Sequence, residues 1–105
     1  MPELTVIRWR AIPAQVTATD GAASARQELS DRFLKAIDAA AMTAGLIGAD
    51  GYLDEWRRET RPCGDDLAHE VTEEAERIEA AFTDDVLRGL IRSGGEGEEP
   101  SADPG

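Results

Sequence analysis

The chain is poor in most of what marks a chemistry. It holds a single cysteine, Cys63, so no intrachain disulfide can form. No apolar run approaches the roughly 18 residues that a membrane helix requires. The N-terminal stretch MPELTVIRWR lacks the basic-then-apolar pattern of a signal peptide. There is no phosphate loop, no GxGxxG and no GxSxG. These absences lead to the expectation of a cytoplasmic protein with no membrane association. At 105 residues the chain is long enough for one core and too short for two.

Acidity is abundant and unevenly placed. The formal net charge is −11. Residues 1–29 carry three basic and three acidic side chains, and residues 30–61 carry five and six. Residues 62–93 carry three basic and nine acidic, and the last twelve carry four acidic and no basic. The excess therefore belongs to the C-terminal part. Strong overall acidity repels phosphate, so no nucleic-acid partner is expected.

The pattern is that of an α+β domain. Leu4–Ala11 reads as a strand, with Thr5, Ile7 and Trp9 alternating against Val6, Arg8 and Arg10. Ile12-Pro13 interrupts it. Ala14–Thr19 and Ser24–Leu29 follow as strands across an Asp20-Gly21 turn. The expected sheet is a small antiparallel meander of two to three N-terminal strands, covered by three to four helices. Ser30 is placed to cap the first helix, with Leu29 and Leu34 spaced as a hydrophobic staple. Phe33, Leu34, Ile37, Ala41 and Ala44 mark its apolar face, and Gly45 suits a left-handed stop. A second helix is expected over DGYLDEWRR, with Pro62 ending it. Asp65 is placed to cap a third, in which Leu67, Val71, Ala75, Ile78 and Phe82 form a stripe and Glu73 and Arg77 an i,i+4 ion pair. Thr83 is placed to cap a fourth helix. Residues 1–93 form the expected domain. Residues 94–105, GGEGEEPSADPG, have no apolar residue larger than alanine and are expected to be a disordered acidic tail.

Candidate binding residues cluster around the two tryptophans. Arg8, Trp9 and Arg10 on the first strand, with Trp56, Arg57, Arg58 and Arg61 at the end of the second helix, would make a cationic patch edged by indoles. Such a patch would hold a carboxylate, a phosphate or an acidic partner segment. The alternative is that the tryptophans are core and the arginines pair with this chain's own acidic helix. Arg57 and Arg58 are adjacent, so on a helix one would point inward to residues 65–79 and the other outward beside Arg8 or Arg10.

Cys63 stands before a helix, which lowers a thiol pKa, while Asp65 and Asp66 raise it. His69 lies six residues on, but no third residue is placed to orient a Cys–His pair. One histidine and one cysteine fall short of any usual zinc set, so no metal and no cofactor are expected. The carboxylates from Asp65 to Glu79 read as a solvated helix face.

Three strings carry a resemblance: IRWRAIPAQV, RFLKAIDAAAMTAGL, and DGYLDEWRRE with Pro62-Cys63-Gly64. Together they resemble the small bacterial virulence factor domain, found also within proteins of the conserved virulence factor C type. The resemblance covers about residues 3–92. It implies a small stand-alone protein or a module attached to other domains, helical repeats among them. It implies a phenotype rather than a reaction, and no catalytic residues. It also implies company with folate- or corrinoid-linked methyl-transfer proteins. The expected function is thus a non-enzymatic accessory or interaction module that binds a protein partner through its Trp/Arg surface. The alternative is a small subunit or accessory factor of a metabolic enzyme system. Composition leaves the oligomeric state open.

Overall fold

A computed structural model of the chain describes residues 1–46 and 50–97. Three N-terminal strands, β1 (Glu3–Trp9), β2 (Ile12–Asp20) and β3 (Ala23–Glu28), form the expected meander. They are followed by α1 (Asp31–Ala44), α2 (Asp50–Asp54), β4 (Trp56–Pro62), α3 (Leu67–Ala81) and α4 (Asp84–Arg92). The sheet is antiparallel with order β3-β2-β1-β4. It has four strands rather than two or three. The second helix ends at Asp54, and Trp56, Arg57, Arg58 and Arg61 stand on a strand. Register explains why: Leu4 to Trp9 have an open edge, and the stretch after α2 closes it, residue for residue, down to Trp9↔Trp56. Ladder hydrogen bonds outweigh a modest helical preference in a stretch with only one large apolar side chain.

Pairing sorts the side chains onto two faces. Leu4, Val6 and Arg8 on β1 and Val16 and Ala18 on β2 face the helices and are buried. α3 lies across β2 and β3, α1 packs on β2, and α4 packs on α1. The α3 stripe of Leu67, Val71, Ala75 and Ile78, continued by Phe82, is buried as its spacing predicts. On α1 the buried set is Phe33, Ala36, Ile37, Ala40 and Ala41. Leu34 was expected there but is 51% exposed, because the face turns through Ala36 and Ala40 instead.

The caps are partly as expected. Gly45 is left-handed at φ 73°, and Leu46 N–H donates to the Ala41 carbonyl at 2.9 Å. Thr83 accepts from Val86 N–H. Asp66, not Asp65, caps α3 by accepting from His69 N–H. Ser30 occupies the N-cap of α1, but its N–H and Oγ both bind the Glu79 carboxylate, at 2.7 and 2.9 Å. Where a Glu73–Arg77 pair was expected, Arg77 pairs with Glu74, and Glu73 meets His69 at 2.7 Å. Glu74 is buried and needs the guanidinium more than exposed Glu73 does.

Gly94 and Gly95, assigned by composition to the tail, are buried against the domain. Glu96 and Gly97 are exposed, and residues 98–105 of the expected disordered tail lie outside the described residues.

Candidate functional site

Antiparallel register brings the two Trp/Arg segments side by side, with Trp9 opposite Trp56, Arg8 opposite Arg57 and Ile7 opposite Arg58. It does not make one patch of them, because adjacent strand residues point to opposite faces.

Trp9 belongs to the core. It is fully buried, its Nε1–H donates to the Tyr52 carbonyl at 2.8 Å, and its ring lies 5.5 Å from that of Tyr52. Arg10 builds the junction around it. Its backbone is left-handed at φ 53°, in the tight turn between Trp9 and Ile12. Its guanidinium sits 5.2 Å from the Trp9 ring centre, donates to the Gly94 carbonyl at 3.0 Å and pairs with Glu55 at 3.0 Å. The neighbouring Ala11 N–H donates to the Gly95 carbonyl at 3.0 Å. One turn thus holds β4, α2 and the end of the domain together. A non-glycine residue at positive φ persists where its surroundings over-determine it.

On the helix side, the arginines meet the chain's own carboxylates. Arg8 is buried, with its Nε 2.6 Å from Glu59. Arg61 reaches Glu74 at 3.2 Å, and Arg77 binds the same carboxylate. Burial alone would push Glu74 up, but Arg77 and Arg61 hold it below its ordinary value. A cleft of about 240 Å³ between β4 and α3 is lined by these groups. Arg57 pairs with Glu55 at 3.4 Å and does not reach residues 65–79.

The other face of the sheet carries Thr5, Ile7, Gln15, Thr17, Arg58 and Thr60. Thr5 and Thr60 hydrogen-bond across it at 2.9 Å, exposed. Arg58 is exposed and makes no ion pair among the described residues. Beside it, half-buried Trp56 stacks edge-on against Tyr52 at 6.2 Å. Trp56, Ile7, Gln15 and exposed Leu34 line a groove of about 260 Å³. Leu34 and Gln15 were absent from the expected binding set. The staple spacing of Leu29 and Leu34 was the signal available, since Leu29 lines the same groove.

The model of the virulence factor family matches residues 7–91. The chain belongs to the virulence factor family. The match runs from Ile7 to Ile91 and so takes in both tryptophans, β4 and all four helices of this family member. No curated protein and no solved structure matches it.

Cys63 is half-buried just beyond β4, with its N–H donating to the Pro2 carbonyl at 3.2 Å. Burial, Glu70, Asp20 and Asp65 push its thiol up, against a smaller opposing pull from Arg61. His69 gives its Nε2 to Glu73. Among the described residues no three of His, Cys, Asp and Glu gather where they could hold a metal ion. No described helix is long and apolar enough to cross a membrane.

Proposed function

We propose that this virulence factor domain is a non-enzymatic interaction module. The sheet face around Trp56 and Arg58 binds a partner protein, with Trp56, Ile7 and Leu34 taking an apolar side chain and Arg58 taking a carboxylate beside it. The observation that carries this reading is Arg58, an exposed guanidinium without an ion-pair partner among the described residues, set next to a half-buried tryptophan. Arg26 and Arg92 also make no ion pair among the described residues, so what sets Arg58 apart is its place on β4 beside Trp56. Tryptophan and arginine are also the side chains that most often anchor protein interfaces. The raised thiol of Cys63 and the engaged His69 favour binding over nucleophilic chemistry.

The test uses immobilised full-length chain as bait in extract of the native cell, as wild type and as Arg58→Glu, Trp56→Ala and Arg92→Glu. The expected result is a protein retained by wild type and by Arg92→Glu but lost with the other two. Retention of the same protein by Arg58→Glu and Trp56→Ala, with both variants folded, removes this face as the site.

A further inference from the structure

β4 is a sheet edge that the fold leaves open. It pairs with β1 on one side and with no strand on the other among the described residues, and six of its seven residues are exposed. The outward groups follow from the ladder. Arg10 N–H donates to the Glu55 carbonyl and Cys63 N–H to the Pro2 carbonyl, which marks both ends of the β1–β4 pairing as hydrogen-bonded positions. Such positions alternate along an antiparallel pair. Residues 55, 57, 59, 61 and 63 therefore turn their backbone groups toward β1. Trp56, Arg58 and Thr60 turn theirs outward, where a further strand would meet them.

We propose that this edge pairs antiparallel with β4 of a second copy of the chain, about a two-fold axis at Arg58, to make a continuous eight-stranded sheet. Charge selects both the partner and the register. Around Arg58 the segment Glu55-Trp56-Arg57-Arg58-Glu59-Thr60-Arg61 reverses sign under inversion of its order. Pairing about Arg58 sets Arg57 opposite Glu59 and Glu55 opposite Arg61, each twice by symmetry. These four pairs fall at non-hydrogen-bonded positions, where side chains approach most closely. Moving the axis to Arg57 sets Glu55 against Glu59, and moving it to Glu59 sets Arg57 against Arg61. Glu59, Arg57 and Arg61 are 63%, 56% and 52% exposed on their side chains, so each has surface left for a second partner, whereas Glu55, 26% exposed and already held by Arg10, has less, and the Arg57–Glu59 pairs lead. The one like-charge contact, Arg58 with its own copy, lies at the wider hydrogen-bonded position on the opposite face. A strand edge alone buries less than the roughly 1,200 Å² of a standard interface, so the dimer is weak and reversible.

Sedimentation of the full chain at low salt, from about 10 µM to about 1 mM, measures the association. The expected result is a concentration-dependent monomer–dimer equilibrium. Arg57→Glu turns two attractive pairs repulsive and weakens it about tenfold or more. Arg58→Thr removes the like-charge contact and tightens it. Thr60→Pro removes an outward N–H without touching the β1 ladder, a place where an edge strand tolerates proline, and abolishes the dimer. If that variant does not fold, the opposite shifts of Arg57→Glu and Arg58→Thr decide. A chain monomeric at every concentration overturns the proposal. So does a dimer indifferent to Arg57→Glu and Arg58→Thr.

Discussion

Gly95 lies directly against the indole of Trp9: a Cβ there would sit 2.8 Å from Cζ3 and 3.3 Å from the Arg10 Cβ. Its φ of +89° is one that side chains avoid. Gly95→Ala therefore meets both strain and overpacking. The expected loss is about 2–4 kcal/mol in denaturant unfolding, at an unchanged m-value. A loss under about 0.5 kcal/mol would mean that the C-terminal residues lift off Trp9 at little cost. Truncation gives a second reading. Ending the chain after Ser93 removes the carbonyls that accept from Arg10 and Ala11 and lowers Tm.

Two neighbouring residues of α1 report how the helix is turned. Ile37 is 1% exposed and Leu34 is 51% exposed. Ile37→Ala is expected to cost about 2–5 kcal/mol, as for a truncated core aliphatic. Leu34→Ala should cost under about 1 kcal/mol, because half of the side chain is already in water. Equal costs for the two would contradict the packed face described above.

What could be read from the residues was set by period and punctuation. The meander was legible because alternation and Asp20-Gly21 are local signals, and the α3 stripe because its spacing is regular. β4 was not legible. Its sequence, WRRETRP, contains one large apolar residue and no alternation, because it is an edge with both faces largely in water. Only the open edge of β1, fifty residues away, makes it a strand. The candidate site suffered from the same cause. On a helix, Arg57 and Arg58 diverge by about 100°; on a strand they face opposite sides of the sheet, and Arg58 separates cleanly from the paired cluster. Leu34 escaped because amphipathic spacing does not say which end of an apolar arc meets the core. Gly94 and Gly95 escaped because glycine carries no hydropathy signal of its own.

Acid should unfold the domain through Glu74 and Glu79. Burial disfavours the charge on each, but Arg77 and Arg61 hold Glu74 below the ordinary glutamate value, and the Ser30 N–H and hydroxyl, then Arg32, do the same for Glu79. A carboxyl lower in the folded than in the unfolded chain stabilises fully above the unfolded value, about 4.3. That stability is lost as pH falls through the lower folded value. Urea midpoints should therefore be flat near pH 7 and drop below about pH 4. In Glu74→Gln the drop is shallower, and stability at pH 7 is lower by about 1–3 kcal/mol, because Arg77 and Arg61 lose their shared anion. An acid limb unchanged by Glu74→Gln would remove that carboxylate from the balance.

Cys63 should react slowly. A thiol alkylates as its thiolate, so a raised pKa lowers the reactive fraction at neutral pH. Burial acts first here, then the carboxylates of Glu70, Asp20 and Asp65, while Arg61 opposes them without prevailing. His69 has its Nε2 2.7 Å from Glu73, and no hydrogen bond joins its ring to Cys63 among the described residues. Iodoacetamide should modify the folded protein more slowly than free cysteine at pH 7, with a rate that climbs through the alkaline range. Glu70→Gln removes the largest of the anionic contributions and is expected to speed the reaction at fixed pH. Cys63→Ala should leave partner capture intact, since the thiol stands at the end of β4 and away from the groove lined by Trp56 and Ile7. A thiol that alkylates faster than free cysteine at pH 7 would turn the reading from a binding module toward a thiol enzyme.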